Sequence, residues 1–213
     1  MRIGNAFAAS VAALALIVGM GSSKPVTAHP HAWIDLRTSV VLDPKGRVIA
    51  IEQEWLLDPL YSTLVIEDLG TDAEALRTHG AEMLGRLREH GYFTELRVDG
   101  EIQSPGTVED FSTELRANRY WIRFVVPLAS PMDPVASKLS YAVFDPTYYI
   151  EILHLEEDVI EILGTEPGRC VARLEPPKPT TDAIMRARSL AVDTTPDNSL
   201  GALFAERVEV GCT

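Results

Sequence analysis

From Ala32 to Leu42 the chain alternates with a period of two: Trp33, Asp35, Arg37 and Ser39 stand against Ile34, Leu36, Thr38 and Val40. Only an extended strand with one buried face places such a series consistently. Asp43-Pro44-Lys45-Gly46 supplies turn chemistry and Val48 to Leu56 returns as a second strand, so the segment reads as a hairpin. A chain that begins this way has to find a second layer for the apolar face of its sheet.

Two helices come next. Asp58 is placed to cap a helix with Pro59 as its first residue, running to about Asp68. Thr71 or Asp72 caps another, to about His90, with Leu76, Gly80, Met83 and Leu87 as its apolar stripe and Gly91 as its stop. Strands then resume. Tyr92 to Val98 meets the turn pair Asp99-Gly100; Glu109 to Arg116 and Arg119 to Val126 join around Ala117-Asn118; and Pro127, Pro131 and Pro134 break the chain. Leu139 to Phe144 and Tyr148 to Leu153 flank Asp145-Pro146-Thr147, and Val159 to Leu163 adds a short strand. A linker marked by Pro176, Pro177 and Pro179 precedes a helix from Thr181 to about Val192. Ser199 to Ala205 reads as helical and Glu206 to Cys212 as extended. The expected class is α+β: mainly antiparallel β in a sandwich-like arrangement, with an inserted helical segment and short C-terminal helices.

Residues 1–28 have the three parts of a secretory signal: Arg2, an almost wholly apolar run from Phe7 to Met20, and the small-residue end Val26-Thr27-Ala28. The run is shorter than the roughly 20 residues a spanning helix needs. The expectation is a cleaved signal and one periplasmic domain, residues 29–213, that does not insert into a membrane. The formal charge of −12 becomes two units more negative once Arg2 and Lys24 leave. Such a protein repels nucleic acid and anionic surfaces and weakly attracts cations. Cys170 and Cys212, an even pair in an oxidising compartment, read as a disulfide, with a two-cysteine metal site as the alternative.

Cleavage after Ala28 would make His29 the first mature residue, offering a metal both its imidazole and its α-amine. His31 lies two residues on and, on a strand, projects to the same side. Pro30 favours the extended form and has no amide proton, so the square-planar amide chelate of a third-position histidine does not form. Imidazole and amine nitrogens with a carboxylate suit a divalent transition metal, zinc first, with nickel, cobalt or copper also served.

The other histidines read more simply. His79 lies at the core edge of its helix, and His90 sits where a cation complements the helix dipole. His154 has an edge-of-sheet role, with ligation as the lesser alternative. Among carboxylates Asp145 stands out, set in Phe144-Asp145-Pro146-Thr147-Tyr148-Tyr149, as either a turn former or a distant ligand. Asp58 reads first as a cap, and Asp35, Glu52 and Glu54 as a solvated strand face.

His29-Pro30-His31-Ala32-Trp33 after a signal, then Trp55, Asp58 and Ser62, then Tyr92-Phe93-Thr94, then Asp145-Pro146-Thr147-Tyr148-Tyr149 together resemble the ZevA-like periplasmic family. Phe144 stands where many members have tyrosine, and Leu57 where phenylalanine is common. The resemblance implies a periplasmic accessory to a NicO-type permease for nickel, cobalt or zinc. It also implies a metal site of His29, His31 and Asp145, with Tyr148, Tyr149 and Asp58 as groups that would orient the ligands.

Three functions follow as expectations. The first is a metal-binding accessory that captures or delivers the ion and is not an enzyme. The second is a copper enzyme using the N-terminal histidine chelate, and the third a metal-free structural adaptor of a transporter. The sequence displays no serine or cysteine nucleophile beside a base.

Overall fold

The computed structural model describes residues 30–155, 160–164, 169–189 and 198–213. The signal segment and His29 lie outside these. The first hairpin forms as its alternation requires. β1 (Ala32–Leu42) pairs antiparallel with β2 (Val48–Leu57), from Ile34 opposite Leu57 to Leu42 opposite Val48. Asp43 holds the turn through Oδ1, which accepts from the backbone N–H groups of Lys45 (2.9 Å) and Arg47 (3.0 Å).

Asp58 caps α1 (Pro59–Leu69) and Asp72 caps α2 (Ala73–Leu87). The buried stripe of α2 is Leu76, Gly80, Leu84 and Leu87, with Met83 only partly covered. Gly80 is required by packing: a Cβ there would lie 2.6 Å from Thr113 Cγ2 and 2.9 Å from the Tyr120 hydroxyl. The chain leaves α2 through a 3₁₀ segment, Arg88–Phe93, and not directly into a strand. Tyr92 and Phe93 both adopt φ of +56°. The cause is tertiary: the buried Tyr92 hydroxyl accepts from Val108 N–H, while Phe93 stacks on Trp55 with centroids 6.1 Å apart. Two anchored aromatics outweigh their strand propensity.

Strands β3 (Thr94–Val98) and β4 (Glu101–Gln103) turn at Asp99-Gly100; β5 (Phe111–Arg116) and β6 (Arg119–Met132) turn at Ala117-Asn118. All four turn residues have positive φ, the twist-matched hairpin geometry. β6 runs through Pro127 and Pro131, contrary to the expected break. Pro127 falls where the register against β2 shifts, the kind of irregularity at which a strand tolerates proline.

The chain continues with β7 (Leu139–Val143), β8 (Ile150–His154), β9 (Glu161–Leu163), β10 (Cys170–Glu175), α3 (Thr181–Ser189), α4 (Gly201–Phe204) and β11 (Arg207–Cys212). Two sheets result, β5-β6-β2-β1-β8 with β9 also along β1, and β10-β11-β7-β3-β4. Among the described residues every strand pairing is antiparallel except those of β1 with β8 and β9. This is the expected strand-rich α+β fold. Between the sheets lie Leu36, Val40, Trp55, Ile122 and Phe124 from one side and Leu96, Leu139, Tyr141 and Val208 from the other. Gln53 ties the layers by donating to Thr94 Oγ1 (2.7 Å) while its own oxygen accepts from the Trp55 indole (2.9 Å).

The turn at Asp145 joins β7 in one sheet to β8 in the other, so it is a crossing and not a hairpin. That crossing and the parallel β1–β8 pair set the geometry of the candidate site. Among the described residues no helix is long and apolar enough to cross a membrane.

Candidate functional site

The parallel register places Ala32 opposite Ile150 and Leu36 opposite His154. One residue earlier, the His31 N–H donates to the Tyr149 carbonyl at 2.9 Å. Their rings lie 4.7 Å apart, tilted by 33°. Two motifs more than a hundred positions apart in sequence are thus adjacent: the described half of His29-Pro30-His31 and the Asp145–Tyr149 turn. His29 itself lies outside the described residues.

Asp145 is only 6% exposed. Its Oδ1 accepts from the Thr147 N–H and hydroxyl, both at 2.9 Å, and its Oδ2 accepts from Ile150 N–H at 3.0 Å. The Tyr148 N–H returns to the Asp145 carbonyl at 2.9 Å. The carboxylate therefore organises its own turn, filling three of about four acceptor positions. Behind the turn, Gly201 N–H donates to the Pro146 carbonyl at 2.9 Å. A side chain at Gly201 would overlap the Asp145 carbonyl, so α4 approaches this closely only with glycine there. Nothing in the sequence pattern singled out Gly201.

The two tyrosines part company. Tyr148 is buried, stacks on Phe204 at 4.1 Å and donates to Glu151 Oε1 at 3.0 Å. Burial, followed by the Glu151 charge and hydrogen bond, pushes its hydroxyl pKa well up. Tyr149 stays exposed, with its ring against His31. Asp58 is 3% exposed and caps α1, its Oδ1 accepting from Leu60 and Tyr61 N–H, each at 2.9 Å. Its own N–H donates to the Trp33 carbonyl at 3.1 Å, so the cap sits beside the first turn of β1. Among the described residues no three His, Cys, Asp or Glu side chains converge on a point that could hold an ion.

His79 is the core-edge residue expected. Its Nε2 lies 3.0 Å from the Tyr61 hydroxyl, and burial pushes its pKa below the ordinary value. His90 is exposed. His154 lies on the edge strand β8, as expected, but its ring turns inward and is buried. Its Nδ1 (2.9 Å) and its backbone N–H (2.8 Å) both meet Glu206 Oε2. Its Nε2 lies 2.9 Å from the Thr38 hydroxyl, which is 2.7 Å from the Tyr141 hydroxyl. With Nδ1–H directed at the carboxylate, Nε2 accepts from Thr38. The order hydroxyl, imidazole, carboxylate is that of a hydrolytic triad. Thr38 is 1% exposed and its oxygen is already engaged, so no substrate reaches it. The chain of contacts pins β1, β7, β8 and the start of β11 together.

Asp35, Glu52 and Glu54 lie on the outer face of the first sheet as arginine partners. Asp35 pairs with Arg119 at 2.6 Å, Glu52 with Arg123, and Glu54 with Arg116 at 3.0 Å. Cys170 and Cys212 stand opposite each other on β10 and β11 and form a disulfide.

The chain is similar over 205 residues, at 25% identity, to an uncharacterized protein of Haemophilus influenzae, covering 92% of this chain and 97% of that one. No solved structure matches it. Residues 14–212 match the family described as protein of unknown function DUF1007. The chain belongs to that family.

Proposed function

We propose that this chain is a periplasmic protein that binds a divalent transition metal, zinc first and nickel, cobalt or copper next, and hands it to or takes it from a NicO-type membrane permease. The ion is cargo. Signal cleavage after Ala28 gives His29 a free amine, and the ligands are that amine, the His29 imidazole and the His31 imidazole. Asp145 either adds a carboxylate oxygen through its remaining acceptor position or acts only by shaping the turn.

The observation that carries this reading is the His31–Tyr149 contact, which brings the histidine motif and the Asp145 turn side by side. The acidic surface favours cations, and the likeness to the ZevA-like family supplies the permease. The test is export of the full precursor, mass spectrometry of the mature N-terminus, and titration of Zn(II), Ni(II), Co(II) and Cu(II) into wild type and His31→Ala. One saturable site that His31→Ala abolishes supports the proposal. Equal binding by both proteins removes it.

A further inference from the structure

Asp58 and Arg86 line one cavity of about 220 Å³ that opens beside the start of β1, walled by Trp33, Trp55, Tyr61 and Phe93. The carboxylate is almost wholly buried, and both of its capping bonds go to Oδ1. Among the described residues no donor reaches Oδ2, and the Arg86 guanidinium makes neither an ion pair nor a hydrogen bond. An anion and a cation thus share one apolar chamber without pairing.

Both charges act on the same group. Burial pushes the Tyr61 hydroxyl above its ordinary pKa, while Arg86 draws it down and Asp58 pushes it up. The cavity therefore has two poles around an aromatic middle. Asp58 lines the cavity while its Oδ2 keeps free acceptor capacity, which a ligand or a water can use. At about 30 Å³ per water the space equals about seven solvent molecules, room for a compound of about eight non-hydrogen atoms.

We infer that this cavity binds a small aliphatic α-amino acid, its ammonium group donating to Asp58 Oδ2 and its carboxylate facing Arg86. The aromatic walls favour an ammonium group and cover the aliphatic body. Arg86 offers a planar fork that matches a carboxylate. The site goes beyond the metal reading and shares none of its proposed ligands.

The test uses L-valine on the metal-free mature chain, followed by tryptophan fluorescence and by the indole N–H signals of Trp33 and Trp55. Isobutylamine and isovalerate are its partners, each carrying one charge of valine and lacking the other. Valine should bind saturably at millimolar concentration or below, with each single-charge analogue about tenfold weaker or worse. Asp58→Asn retains an oxygen that caps α1, so the fold survives while the charge is lost. It and the surface change Arg86→Gln should each weaken valine about tenfold. His31→Ala should leave valine binding unchanged, which separates this site from the metal proposal. No saturable response to valine, isovalerate binding as tightly as valine, or undiminished binding by Asp58→Asn would overturn the inference.

Discussion

The His31 backbone N–H is bonded to the Tyr149 carbonyl at 2.9 Å, one step beyond the parallel pairing of β1 with β8. Whatever holds the Asp145–Tyr149 turn in shape therefore also positions His31. Asp145 does most of that holding, with three accepted hydrogen bonds. Asp145→Ala should destabilise the protein by about 3 kcal/mol, since each bond to a buried carboxylate contributes about 1.5–3 and the three are not additive. Urea unfolding measures it. A loss below about 0.5 kcal/mol, the range of ordinary surface changes, would show that the turn does not depend on the carboxylate.

The buried chain Tyr141–Thr38–His154–Glu206 makes an ordered prediction. His154→Phe removes the imidazole that joins Glu206 to Thr38, leaving Glu206 the backbone N–H of residue 154 and Thr38 the Tyr141 hydroxyl, and should cost about 3 kcal/mol. Tyr141→Phe removes only the outermost hydroxyl, so Thr38 still donates to Nε2 and the cost should be about 1 kcal/mol. Comparable losses in chemical unfolding would mean that the contacts do not act as a chain ending at Tyr141.

Reduction of Cys170–Cys212, which closes a loop of sequence separation 42, should cost about 4 kcal/mol by chain entropy. It should loosen the β10–β11 end first, because the two cysteines face each other in register there. Thermal unfolding with and without reductant, combined with amide exchange at Val171 and Gly211, reads both effects.

His79 gives a pH dependence of defined sign. Its folded pKa is depressed by burial, with the Arg86 charge acting in the same direction, so the fold favours neutral imidazole. The contribution is fully present above the unfolded value of 6.5 and is lost as pH falls through the folded value. His79→Gln should flatten the decline in stability below pH 6.5; an unchanged slope in acid would show that His79 does not carry it.

The sequence disclosed what local physics decides. Period-two alternation marked β1 and β2, and Asp58-Pro59 and Asp72 marked the helix starts. Asp99-Gly100 and Ala117-Asn118 marked hairpins, and the cysteine pair marked the disulfide. It misled where packing overrides propensity, at the left-handed Tyr92-Phe93 pair and along β6 through its prolines. It was silent on pairing between distant segments. The parallel β1–β8 contact, the inward turn of His154 towards Thr38 and Glu206, and the need for glycine at 201 depend on neighbours that no local window contains. Of the candidate site, His31, Asp145 and Tyr149 were legible as motifs, while their adjacency was not. Tyr148 turned away because Phe204 and Glu151 offered its ring and hydroxyl better partners.

The most direct measurement is calorimetric titration of Zn(II) into the mature chain that begins at His29, beside the same chain carrying one extra alanine before His29. That residue leaves both imidazoles in place and removes the α-amine from His29. The wild-type chain should bind one ion, with binding that weakens as pH falls because amine and imidazole must be deprotonated, and the extended chain should lose affinity strongly. Equal affinity in the two proteins, or no binding by the wild type, would contradict it.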